Sequence, residues 1–192
     1  MDAVRHFKTV AKQELKKRRE AGDTVITLQQ AQHLAARSVG FKNWAELLNA
    51  DEDTLDLAVL MQRWPNLTHT GLDGVWGLKL WEREVRAMSR EDRAQGLYEM
   101  RRDLLGNAGD IAAAREWIVD NMVEINSINH RRTSYNIKHT YERAAGQYVT
   151  NGAFIAAALL AGFRTNGSPT REQRNVSFNM SERAVKAVDP GI

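Results

Sequence analysis

Apolar residues recur at three- and four-residue spacing along most of this chain, the period of helices that bury one face. Val4, Phe7, Ala11 and Leu15 predict a first helix over 2–21, closed by Gly22. Thr27 with Gln30 has the pattern of a capping box. It opens a second helix whose inner face is Ala31, Leu34 and Ala35, with Ile26 placed to staple onto Ala31. Gly40 followed by Phe41 has the form of a left-handed helix ending with its hydrophobic contact. Asn43, answered by Glu46, then caps a short helix that turns Trp44, Leu47 and Leu48 inward. Asp51 to Arg63 reads as the next helix, with an acidic first turn that suits the helix dipole and Pro65 as its stop. Residues 66–74 read as a loop and as the best boundary between an N-terminal unit (1–65) and a C-terminal domain (75–192).

Beyond that loop, Leu78, Trp81, Val85 and Met88 place a helix over 75–88. Ser89 caps another that runs through Leu97, Met100, Leu104 and Leu105 to Gly106. Asp110 is placed to cap a third, with Ile111, Ala114, Trp117, Ile118, Met122 and Ile125 as its stripe. Ser134 is placed to cap a helix to Ala145 that turns Ile137 and Tyr141 inward. Thr150 or Asn151 caps an almost wholly apolar helix to Ala161, which must be buried on most faces. Gly162 and Phe163 repeat the ending at Gly40 and Phe41. Val176 to Met180 alternates as a strand does, and Ser181 opens a last helix. A lone strand needs a partner: Tyr148-Val149, Val25-Ile26 or a second copy of the chain. The fold expected is mainly α, about eight helices in a compact, bundle-like arrangement with at most a short β element near the C-terminus.

The segment Ala31, Gln32, Ala35, Ala36, Arg37, Gly40, Phe41, Trp44 and Leu47, written AQxxAARxxGFxxWxxL, resembles a short helical module of bacterial proteins. That module occurs near the N-termini of some glyoxalase-superfamily and ankyrin-repeat proteins and in small mobile-element proteins. The resemblance covers about a quarter of the chain and implies a structural or docking unit, not a reaction. The metal-ligand and repeat signatures of those hosts are absent, so no functional residue carries over.

Charge changes this picture more than bulk composition does. The net charge is only +3 over 192 residues. Yet residues 1–21 carry seven Lys/Arg against three Asp/Glu, and residues 128–192 carry nine against four, while 51–60 holds four acids and no base. Basic ends suit a polyanion, because Lys and Arg neutralise phosphates and release counterions. The chain has no Cys, which removes disulfides, thiolate metal sites and a cysteine nucleophile and fits a reducing cytoplasm. No apolar run reaches the roughly 18 residues of a membrane span.

Chemistry-bearing motifs are few. The five histidines show no i,i+4 metal pair. Gly71, Gly74 and Gly77 match neither a phosphate loop nor a dinucleotide fingerprint, and no nucleophile elbow occurs. No catalytic residue, metal or cofactor is therefore expected. The candidate site is the basic segment 130–143, where Arg131, Arg132, Lys138 and Arg143 can hold phosphates and Tyr135 can stack. Asn129 or Asn136 can read a base edge, and Lys16, Lys17, Arg18 and Arg19 can assist. Against this stands a purely structural reading, with Tyr135 in the core and the arginines answering acids of the middle region. The function expected is a non-enzymatic, cytoplasmic nucleic-acid-binding regulator or accessory protein, possible for a phage or plasmid. The alternative is a protein–protein adaptor or inhibitor, for example an anti-defence factor, acting through acidic or Trp-bearing surfaces. A homo-oligomer through the C-terminal strand is a further possibility.

Overall fold

A computed structural model describes residues 2–78 and 82–189. Asp2 accepts the Arg5 amide and starts helix α1, Ala3–Glu20, which buries Ala3, Phe7 and Ala11. Its basic last turn lies where the helix dipole favours cations. Thr27 forms the capping box with Gln30 at the start of α2, Leu28–Ser38. Gly40 ends that helix at φ +93°, and the Phe41 amide returns to the Ala36 carbonyl at 3.1 Å. α3, Trp44–Leu48, is capped by Asn43, whose side chain accepts the Glu46 amide at 2.9 Å. It buries Leu47, but Leu48 faces solvent, because a single turn of helix has only one inner side. α4, Glu52–Arg63, starts from Asp51 and buries the run Leu57 to Met61.

The helix expected over 75–88 does not begin as an α-helix. Gly74, at φ +53°, leads into a 3-10 turn, Gly74–Leu78. α5, Glu82–Ala87, follows and buries only Val85. Trp81 of the expected stripe falls outside the described residues. α6, Arg90–Leu105, is capped by Ser89, and α7, Ala108–Asn121, starts earlier than expected. Asp110 does not cap α7. It accepts the Gln147 side-chain amide at 2.8 Å, a tertiary contact that local spacing does not reveal. α8, Ser134–Ala145, is capped by Thr133, not Ser134. Asn136 accepts the Thr133 amide, while Ser134 is buried and bonded to the Val176 backbone. α9, Asn151–Leu160, starts at Thr150 and is buried from Gly152 to Ala158. The Phe163 amide bonds the Ala158 carbonyl, so the Gly–Phe device recurs. α10, Glu182–Val188, closes the order.

The protein is mainly helical, with ten α-helices among the described residues instead of about eight. The alternating segment 176–180 forms no strand and makes isolated antiparallel bridges, Phe178 with Thr165 and Met180 with Glu124. Within the chain its bridge partners are thus Thr165 and Glu124, not Tyr148-Val149 or Val25-Ile26. The Ile125, Asn129 and Ser134 amides take the Asn179, Phe178 and Val176 carbonyls, and the Asn179 amide takes the Arg164 carbonyl. A second copy would find these backbone groups already bonded.

One apolar core runs from Phe7 and Leu47 through Leu57, Leu104 and Ile118 to Phe154 and Phe178. Residues 66–74 contribute Leu67, Thr68 and Leu72 to the interior. Trp44, Trp64 and Trp117 pack partly buried against the core. No helix among the described residues is long and apolar enough to cross a membrane.

Candidate nucleic-acid interface

On α8, Tyr135, Lys138, His139 and Glu142 fall within two turns, at the spacing where side chains meet. The Tyr135 and His139 rings pack edge to face, 4.4 Å between centres. Glu142 is the hub beneath them. One carboxylate oxygen accepts Lys138 Nζ at 2.5 Å and the Val149 amide at 3.2 Å. The other lies 2.6 Å from His139 Nδ1. Burial pushes the Glu142 carboxyl upward, but these bonds outweigh it and hold the group below the usual carboxylate range.

The Lys138 side chain is only 4% exposed. Its ammonium lies 5.8 Å from the centre of the Tyr135 ring and 4.9 Å from that of Tyr148, within cation–π range of both. Tyr148 reaches this place because Gly146 ends α8 in the left-handed conformation, φ +68°, and the chain doubles back into α9. The two tyrosines are 50% and 73% exposed. They border an open cleft of about 440 Å³ whose other wall carries Asn151, Arg174 and Asn175. Asn151 donates through Nδ2 to the Arg174 carbonyl at 2.8 Å and to Asn175 Oδ1 at 3.3 Å. Arg174 Nε pairs with buried Asp73 at 2.7 Å. The floor is tight. The Gly152 amide bonds the His69 carbonyl at 3.0 Å, and a Cβ at 152 would lie 1.7 Å from the Thr68 carbonyl oxygen.

The segment 130–143 thus divides. Tyr135 and Lys138 reach the cleft, together with His139. Arg132 does not: its guanidinium grips Glu182 through Nη2 at 2.8 Å and Nε at 3.2 Å, with 16% of the side chain exposed. The Arg132 bonds, reinforced by Asn129, draw the Glu182 carboxyl down to about 2. Arg143 pairs with Asp189 through Nε at 2.8 Å. Both arginines tie α10 onto α8. Their acids stand at the two ends of the last helix, Glu182 in its first turn and Asp189 as its C-cap, not in the middle of the chain. The Arg131 guanidinium is exposed and makes no hydrogen bond or ion pair among the described residues. Asn129 is buried and bonded to the Met180 carbonyl and Glu182, so it is not free to read a base, whereas Asn136 is exposed and commits only its Oδ1, to the Thr133 amide and hydroxyl.

Lys16 to Arg19 stand elsewhere, on a helix that packs against α2 and α4, while α8 packs against α9 and α10. Lys16 pairs with Glu20 at 3.8 Å, Arg18 with Glu14 at 2.7 Å, Arg19 reaches the Ile26 carbonyl, and Lys17 is exposed. Sequence reasoning missed Tyr148, Arg174 and Asn175 as members of the site. Only the exposed aromatic just past the Gly146 helix end was a local signal.

The described residues contain no group of three or more His, Asp or Glu placed to hold a metal ion. The chain matches no protein-family model, no curated protein and no solved structure.

Proposed function

We propose that the protein is a non-enzymatic nucleic-acid-binding regulator or accessory protein that contacts its ligand at the Tyr135–Tyr148 cleft. One observation carries this reading. Two half- to mostly exposed tyrosines share one cleft with a lysine whose ammonium lies within cation–π range of both rings, and the same basic segment carries the exposed, unpaired Arg131. Aromatic faces stack bases without regard to sequence, and a neighbouring cation attracts the backbone. The resemblance of Thr27 to Leu48 to mobile-element modules suits an accessory factor of a phage or plasmid. The test is fluorescence anisotropy of labelled DNA and RNA with the full chain at low salt. Binding weakened by Arg131→Ala and by Tyr135→Ala supports the proposal, and no binding to either polymer at low salt sinks it.

A second reading, a protein–protein adaptor, draws on a different cleft of about 780 Å³ between the α3–α4 link and the end of α6. Asp51 and Asp103 line it together with the Glu46–Arg102 pair, at 3.2 Å. A lysate pull-down that returns one protein, unaffected by nuclease and lost on Asp51→Lys, would favour this reading.

A further inference from the structure

The following rests on the reading that the protein binds nucleic acid, and concerns which form of it the cleft accepts. A duplex shows its bases only as edges in the grooves, with their faces occupied in the stack. It is gripped chiefly by cations that neutralise its phosphates. The cleft is poorly built for that. Lys138 is already paired with Glu142 and Arg174 with Asp73, so its two strong cations are largely compensated. What the cleft offers instead is aromatic surface and amide edges.

The tyrosines are also held in place. The Lys138 ammonium sits against both rings and is itself fixed by the Glu142 hub, so both rings are oriented before a ligand arrives. Tyr148 meets Lys138 and remains 73% exposed, which leaves much of its surface open to a base. Across the cleft, Asn175 Oδ1 accepts from Asn151, which leaves the Asn175 amide hydrogens to donate to a base edge. The volume of about 440 Å³ lies in the range of small-ligand sites, roughly 300–1,000 Å³, and is of a size for one or two nucleotides.

We infer that the cleft takes unpaired nucleotides, with one base stacked on Tyr148 and its neighbour on Tyr135, and leaves duplexes unbound. Stacking supplies most of the affinity. With few phosphates neutralised, the salt dependence is shallow, a log–log slope weaker than about −1.5 for one or two phosphate contacts on a single strand.

The experiment compares one labelled sequence as single-stranded DNA, as single-stranded RNA and as its duplex, by anisotropy with the full chain across a salt series. The expected result is at least about tenfold tighter binding of a single strand than of the duplex. Tyr148→Ala weakens binding by about five- to a hundredfold, the usual loss for one stacked base. Tyr148→Phe, which keeps the ring, binds as the parent does. Because Tyr148 is so exposed, Tyr148→Ala keeps the parental melting temperature, which is measured alongside. Duplex bound as tightly as single strand overturns the inference and leaves the proposed function standing. Tyr148→Ala binding unchanged, or Tyr148→Phe as weak as Tyr148→Ala, also overturns it. Failure of all three polymers to bind removes the proposed function and this inference together.

Discussion

Lys138 and Glu142 form the most enclosed ion pair of the cleft, 2.5 Å from Nζ to Oε1 with the lysine side chain almost wholly buried. Removing one partner of such a pair leaves a buried charge without compensation, at about 3–5 kcal/mol. Glu142 would keep the Val149 amide and His139, so Lys138→Met should cost about 3 kcal/mol, the low end. Lys138→Met with Glu142→Gln should recover part of that. Urea unfolding at neutral pH measures both, and equal losses in the single and double variants would contradict the account.

Glu182 predicts an acid limb. Its carboxyl lies near 2 in the folded protein, against an ordinary 4.5, because Arg132 and Asn129 bind the ionised form. A depressed carboxyl contributes stability that is fully present above about pH 4.5 and is lost as pH falls toward 2. Denaturation midpoints should therefore drop across that window, and Glu182→Gln should flatten the drop while lowering stability at neutral pH. An unchanged acid limb in Glu182→Gln would assign acid sensitivity to other carboxylates, Glu142 among them.

Gly152 predicts a steric effect under the cleft. A methyl there would lie 1.7 Å from the Thr68 carbonyl oxygen and 2.7 Å from the His69 carbonyl carbon, both backbone atoms that cannot swing aside. Gly152→Ala should cost about 3 kcal/mol, the upper range for overpacking, and lower the melting temperature. Gly109→Ala is the control, since nothing stands within 4 Å of a Cβ there.

Arg101 is buried and makes no ion pair with a carboxylate among the described residues. It donates to the Ser38 and Pro65 carbonyls, and burial lowers its guanidinium to about 10. A lysine presents one compact head where arginine presents a fork. Arg101→Lys should leave one carbonyl unsatisfied and cost about 1–3 kcal/mol in urea unfolding.

What the sequence made legible was local. The Thr27 box, the Gly40–Phe41 and Gly162–Phe163 endings and the apolar α9 are each decided within a few residues, and the structure has them. Asp110 and Ser134 have good capping chemistry, yet distant partners claim them, Gln147 for one and Val176 for the other. The site divides the same way. Tyr135, Lys138 and His139 share two turns of helix, so spacing finds them. The acids that engage Arg132 and Arg143 lie 50 and 46 residues along the chain, and Arg174 is positioned by Asp73 across 101. No pattern of period 3.6 carries such information.

The close seat of α2 and α3 on α6 bears on portability. Gly40 lies so near the Arg101 backbone that a Cβ would come within 2.8 Å of it. Arg37 stacks over Tyr98 at 4.1 Å, Arg101 holds the Ser38 carbonyl, and Arg102 holds Glu46. Every one of these holds falls on one helix. The segment Thr27 to Leu48 is thus clasped twice, by α1 along α2 and by α6 at the turn between its two helices. Transplanted into another chain, it would need two host helices, one to lie along α2 and one offering the same aromatic and paired guanidinium groups at the turn.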